Sequence, residues 1–190
     1  YQRILRIAVH PVLQRQGLAK ALMANVMVMA KAGAVDVVGT SFSTDLDVMS
    51  FWQDSGFSVA RLGTQRDEVS GQHAVTLLQA CSADGVTLLD AAKRKFRQHW
   101  PDLLSMQFNQ LDIDTVLAVS QQCERQREVL SDSDRQEVMR FAQANATYES
   151  CQVAIRHCVS SALTSDGFFQ LSLSHQNMLV MRVLQLRLVP

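Results

Sequence analysis

The stretch Arg3-Ile-Leu-Arg-Ile-Ala-Val-His-Pro11, running into Gln14-Arg-Gln-Gly-Leu-Ala19, decides how this chain is read. Its first half alternates and then thickens in β-branched residues, which predicts a strand over 3–9 that Pro11 stops. Its second half predicts a helix over 18–32 with Ala21, Leu22, Val26 and Met29 on one face. A strand, a sharp turn and Gly17 at a helix start leave several backbone N–H groups unpaired and pointing one way. That geometry binds an anion, most often a phosphate, without any charged side chain. A single glycine at such a junction is also common simply because the backbone must bend there, so the turn takes its meaning from its surroundings.

Working outward, the pattern predicts a strand over 35–42, a helix over 47–55 and strands over 58–62 and 74–78. The intervening loop, 63–72, holds Arg66, Asp67, Glu68 and Gly71 and reads as exposed. Ser82 to Gly85 marks a boundary, after which the pattern turns helical. Leu88, Leu89, Ala92, Phe96, Trp100 and Leu103 recur at helical spacing, and Pro101 is expected to kink or end that helix near Trp100. Further helices are expected over 113–123, after a cap in Ser131-Asp-Ser-Asp134 with Glu137 closing a capping box on Asp134, and over 148–163. Ser165-Asp-Gly167 reads as a turn. The closing run, 177–189, fits a buried helix or a strand equally well. The expected domains are 1–81 and 82–190.

Composition narrows the function classes. Hydrophobic residues are 47% and charged residues 19% of 190, which excludes a disordered chain. Formal net charge is zero, so no global basic field draws the chain to nucleic acid and any such contact is local. Cys81, Cys123, Cys151 and Cys158 form no Cys-x-x-Cys pair, and Cys151 and Cys158 share a helix face, so they read as buried thiols rather than a zinc site. No metal site is expected. His73, His99, His157 and His175 have no partner at ligand spacing. No secretory signal or membrane span is visible, and thiols without a signal suit a cytoplasmic protein.

The Gln/Arg-x-x-Gly-x-Gly/Ala loop after a strand ending in Val-x-Pro resembles the pyrophosphate loop of the GNAT acetyltransferases. Phe51-Trp52-Gln-Asp-Ser-Gly56-Phe57 is similar to that family's aromatic pair, glycine and phenylalanine before its sixth strand. Together with Ser41-Phe42, a Gly-containing loop, a helical tail and Leu130-Ser-Asp-Ser-Asp134 followed by Phe141-Ala142, the chain resembles the tRNA(Met) cytidine acetyltransferase family. The resemblance implies an α+β fold: the C-terminal part of a GNAT mixed sheet with flanking helices, then a mostly helical tail with a possible tRNA-binding role. It implies acetyl-CoA as donor, a tRNA wobble cytidine as acceptor, and ATP or GTP consumed by an upstream module. The chain opens on Tyr1, directly into a strand, and reads as a C-terminal piece cut inside a domain and inactive alone.

Site roles follow from the same resemblance. The backbone of Ile7, Ala8 and Val9 would line the cofactor where the strand splays from its neighbour, and a backbone N–H near Val9 would polarise the thioester carbonyl. Gln14, Arg15, Gln16, Gly17, Leu18, Ala19 and Lys20 would wrap the pyrophosphate. His10 is the candidate for proton handling, or else caps the strand end. Lys93, Arg94, Lys95 and Arg97 either contact tRNA phosphates or form a solvated helix face. Phe51, Trp52 and Phe57 either flank the cofactor or pack the helix onto the sheet. Departures are Ala19 where glycine is common, Ser43-Thr44-Asp45 in place of a glycine-containing turn, and Asp47 and Asp54, to which no cofactor contact is assigned. Two other readings stand beside this one: an enzyme acetylating a protein or small-molecule amine, and a non-catalytic module that keeps the loop as structure.

Overall fold

Residues 1–68, 70–123 and 130–187 are described by a computed structural model. Strands β1 (Gln2–Ile4), β2 (Val37–Ser43), β3 (Ser58–Arg66) and β4 (His73–Ala80) form one mixed sheet in the order β1-β2-β4-β3. β1 runs parallel to β2, while β4 is antiparallel to both β2 and β3. Helix α1 (Leu18–Ala32) connects β1 to β2, and α2 (Leu46–Asp54) connects β2 to β3. Both connections join parallel strands and step the same way across the sheet. Right-handed crossovers therefore place α1 and α2 on one face.

That face is the core of the first unit. Cross-strand rows Thr40–Leu77–Val59 and Phe42–Val75–Leu62 put Val59, Leu62, Val75 and Leu77 on it, all buried. Met49 and Trp52 of α2 and Met23 and Ala30 of α1 are buried as well. The face of α1 that is buried differs from the expected one: Leu22 and Met29 are exposed. α1 is apolar nearly all round, and the sheet takes the stripe through Met23 and Ala30, seven residues apart, i.e. two turns.

The first strand is shorter than expected. Its pairing with β2 stops at Ile4–Thr40, although β2 continues through Ser43. Residues 5–10 carry no regular structure, because an extended chain without a ladder partner is not held as a strand. The two chains thus part like a fork.

The chain divides into two compact units, 1–96 and 97–190, the division falling within helix α3 (Ala83–Met106). Gly85, near the start of α3, lies against the backbone of Asp36, and any Cβ there would collide with the Asp36 carbonyl. The second unit contains the last turns of α3 with α4 (Ile113–Gln121), α5 (Asp132–Ala142), α6 (Tyr148–Ala162), α7 (Asp166–Phe169) and α8 (Leu173–Leu179). Trp100, Leu104, Phe108, Val116, Val119, Leu163 and Leu184 are buried at its centre, where the Trp100 indole N–H donates to Ser120 Oγ at 2.9 Å.

Two tail expectations change, and one that was left open closes. Pro101 does not end α3, which continues to Met106. The turn beyond it is held by Arg156, whose guanidinium donates to the Pro101 carbonyl at 3.0 Å and to Ser105 Oγ at 3.0 Å. The cap of α5 is Ser131, accepting from the Asp134 N–H at 3.0 Å, so the capping register lies three residues before the expected Asp134. The closing run is helical: α8 passes into a π-helical turn at Val180–Leu184, and 188–190 lie outside the described residues.

Candidate functional site

Chemistry concentrates where the fork meets the start of α1. His10 to Leu13 tighten into a 3-10 turn at Pro11–Leu13, with the Leu13 N–H donating to the His10 carbonyl at 2.8 Å. The chain then reverses through Arg15 and Gly17, both left-handed at φ 58° and 81°. The Gln14 side chain braces this turn by donating to the Val9 carbonyl at 3.1 Å, and Gln16 does the same to the Val12 carbonyl at 3.1 Å. Glycine at 17 answers to this backbone angle, because a Cβ there would meet nothing within 4 Å. The space it would enter is open.

α1 begins on Gly17, whose carbonyl accepts the first helical bond from the Ala21 N–H at 3.0 Å. The N–H groups of Leu18, Ala19 and Lys20 therefore have no intrahelical acceptor. No side chain caps this end and no acid sits in its first turn. Every other α-helix with a described cap residue carries a capping side chain: Asp45, Asp112, Ser131, Thr147, Ser165 and Ser172. Among the described residues, the positive end of α1 therefore has no negative partner.

A cleft of about 400 Å³ lies against it, lined by Val9, Gln14, Arg15, Gly17, Leu18, Ala19 and Lys20 with Leu13 and Phe51. The structure thus gathers most of the expected loop residues around one space. Gln16 is braced behind the turn, and Ile7 and Ala8 lie outside the cleft lining, on the free arm of the fork. Among the described residues, the N–H groups of Ile7, Ala8 and Val9 have no acceptor. Leu13 had no expected place in the cleft, and of the three aromatics expected to flank the cofactor or pack the helix, Phe51 lines it. The contact of α2 with α1 that brings Phe51 there joins residues over thirty positions apart, which no local pattern signals.

His10 is exposed, and its Nδ1 accepts from the Val12 N–H at 3.4 Å, so it caps the 3-10 turn. Lys20 Nζ donates to Asp54 Oδ2 at 3.2 Å, both side chains more than half exposed. Asp54 therefore tempers the one lysine of the loop. Asp45 caps α2 through the Val48 N–H at 3.0 Å and Asp47 lies in its first turn, which accounts for the acids found there as helix-starting residues. Trp52 and Phe57 are buried and pack edge to face at 4.9 Å between centroids, and Trp52 stacks with Phe42 at 6.4 Å. These two aromatics are core; Phe51 alone reaches the cleft.

Lys93, Arg94, Lys95 and Arg97 lie on α3, the first three in the first unit and Arg97 at the start of the second, with Arg94 and Lys95 exposed and Lys93 and Arg97 half-buried. Arg97 lines a cleft of about 250 Å³ with Gln98, His157, Ser160 and Thr164. None of the four cysteines is in a disulfide, and burial raises the Cys158 thiol above its ordinary range, against nucleophilic use. Among the described residues there is no cluster of three metal-ligating side chains, and no helix is long and apolar enough to cross a membrane.

The α+β arrangement, a GNAT-type mixed sheet with flanking helices and a mostly helical tail, is the one the motifs implied. The likeness extends to particular relatives. The chain is 29% identical over 187 residues to tRNA(Met) cytidine acetyltransferase TmcA of Nitrosococcus halophilus, covering 97% of this chain and 25% of that protein. It is 32% identical over 128 residues to the same-named protein of Haloarcula marismortui, covering 67% of this chain and 16% of that one. The resemblance to the tRNA(Met) cytidine acetyltransferases is borne out, and the chain spans a quarter or less of the length of these relatives. No family model matches. A solved GNAT-family structure from Desulfovibrio desulfuricans superposes with a TM-score of 0.38 at 20% identity, covering 42% of this chain and 52% of its own, too partial to bear on function.

Proposed function

We propose that this chain carries the acetyl-CoA-binding part of an N-acetyltransferase whose whole form makes N4-acetylcytidine at the wobble position of elongator tRNA(Met), with an ATP- or GTP-consuming module elsewhere in the protein. The observation that supports the reading most is the bare start of α1 beside an open cleft: amides without acceptors, no cap and no acid. Those features fit an anionic diphosphate, and the open space at Gly17 fits its close approach. Acetyl-CoA supplies the activated acetyl group. The amides of residues 15–20 bind the diphosphate, Arg15 adds charge at the rim, and Phe51 and Leu13 give the cleft an apolar wall.

The unpaired N–H groups of Ile7, Ala8 and Val9 orient an extended, amide-bearing arm along the fork, and the amide near Val9 stabilises negative charge on the carbonyl under attack. The cytidine amine is weakly basic, so its proton must leave. His10 is the proposed acceptor. With Nδ1 facing the Val12 N–H, its neutral ring carries a proton on Nε2, and it takes up the amine proton at Nδ1 as that long 3.4 Å bond opens. Lys93, Arg94, Lys95 and Arg97 are proposed as tRNA-phosphate contacts, with 1–81 proposed for acetyl transfer and 82–190 for the tail. The free thiols and the RNA acceptor suit the cytoplasm.

The test is product analysis with the full-length protein, acetyl-labelled acetyl-CoA, ATP and unmodified elongator tRNA(Met). Label in N4-acetylcytidine is expected. Label in a protein or small amine with none in RNA overturns the acceptor assignment, and failure to bind acetyl-CoA overturns the acetyl-transfer reading altogether. His10→Ala should lower turnover about a hundredfold with acetyl-CoA affinity unchanged; near-normal turnover removes its chemical role.

A further inference from the structure

The sheet face opposite α1 and α2 carries a groove of about 570 Å³ that acetyl-CoA binding does not use. Register builds its centre: Ser41 on β2, Thr76 on β4 and Arg61 on β3 are cross-strand neighbours in one row. Arg61 reaches this face because of a β-bulge. Val59 pairs with Leu77 and Arg61 with Thr76, so two steps along β3 match one along β4. Regular alternation would leave Arg61 on the buried side with Val59; the bulge turns it over. Arg66 lines the same groove at the hairpin end, where buried His73 bonds the Gly63 carbonyl through Nδ1 at 2.9 Å.

The floor is low and polar. Gly63 and Ala74 add no bulk, and the hydroxyls of Thr76 and Ser41 are 3.4 Å apart. Among the described residues neither Arg61 nor Arg66 has a carboxylate partner. The one acid on the lining, Asp67, turns its Oδ1 to the Ser70 N–H and hydroxyl at 2.8 and 3.0 Å. Two unpaired guanidiniums beside paired hydroxyls are a local anion site in a chain of zero formal charge. Its position matters too. Ser41 is the first residue of β2 beyond the last β1 partner, Thr40, so the groove opens at the crotch of the fork.

We propose that this groove holds the sugar-phosphate backbone of the RNA strand carrying the acceptor base, with Arg61 and Arg66 on its phosphates and Ser41 and Thr76 on its sugar edge. The proposal rests on the RNA-acetylation reading and assigns its acceptor surface. It is tested with the full-length protein carrying Arg61→Gln and Arg66→Gln, titrated with a labelled anticodon stem–loop of elongator tRNA(Met) over a salt series. RNA affinity should fall about tenfold and the slope of log affinity against log salt should shrink by about 1.4, the value for two single-strand phosphate contacts. Acetyl-CoA affinity by calorimetry should be unchanged, and Arg61→Lys with Arg66→Lys should keep the salt slope. Unaltered RNA affinity and slope overturn the proposal, as does an equal loss of acetyl-CoA affinity, which would mean the arginines hold the sheet. Arginine-dependent binding of an acidic peptide with no RNA binding overturns it as well. A protein that binds RNA through these arginines but never binds acetyl-CoA supports the groove and removes the acetyl-transfer reading.

Discussion

Two clusters of hydrogen-bond donors in this molecule have opposite fates. In the tail, the Arg156 guanidinium gives Nη1 to the Val183 and Leu184 carbonyls at 2.8 and 3.2 Å and Nη2 to Pro101 and Ser105, with Asp102 alongside at 3.5 Å. At the start of α1, the amides from Leu18 to Lys20 give theirs to nothing among the described residues. The first cluster takes up the Pro101 carbonyl on α3 and the carbonyls left without helical partners where the last helix ends in its π turn. The second is the end proposed to take the diphosphate of acetyl-CoA. Donors spent inside serve stability; donors left bare at a cleft serve binding.

The largest expected effect falls on the spent cluster. Arg156→Ala should cost about 3 kcal/mol of tail stability, since it orphans several half-buried carbonyls at once; chemical denaturation followed by Trp100 fluorescence reads it, and a loss under about 1 kcal/mol would break the contrast. Next is Gly17→Val. A β-branched residue at φ 81° carries strain on the order of 1–3 kcal/mol, so acetyl-CoA should bind about ten- to a hundredfold more weakly by calorimetry.

A finer test makes the bare end resemble its capped neighbours. Leu18→Asp places an acid in the first turn of α1, where it should stabilise the helix by about 0.5 kcal/mol yet weaken acetyl-CoA binding about tenfold. Stability and affinity moving the same way would deny that the end is kept bare for a ligand. The smallest effect belongs to Asp54→Asn, which frees Lys20. An exposed pair contributes at most about 1 kcal/mol, so melting should hardly move while acetyl-CoA affinity rises a few-fold at low salt.

The same contrast marks what could be read from the chain itself. The start of α1 was legible because its signals are local, Pro11, then Gly17, then a helix over 18–32 as found, although the strand before it ends at Ile4 rather than at Pro11. The capping acids and hydroxyls of the tail helices are local signals too, although Ser131 rather than Asp134 won the cap of α5. What stayed hidden depends on distant partners. Nothing in residues 3–9 says that β2 will pair with only the first few of them. Nothing in α1 chooses Met23 over Leu22 when both stripes are apolar. The Lys20–Asp54 pair, the placing of Phe51 beside Gly17 and the bulge that turns Arg61 over are all products of packing between segments far apart in sequence.

The early parting of β1 from β2 has a last consequence. On the proposed acetyl-CoA reading, recognition along that arm relies on main-chain groups, which every residue but proline possesses. The side chains at Ile7 and Ala8 are thereby released from the task, and substitutions there can accumulate without blunting the grip. A proline at either position deletes a donor outright. Tolerance of chemistry together with intolerance of one imino acid is the signature to seek in any survey of variants across this arm.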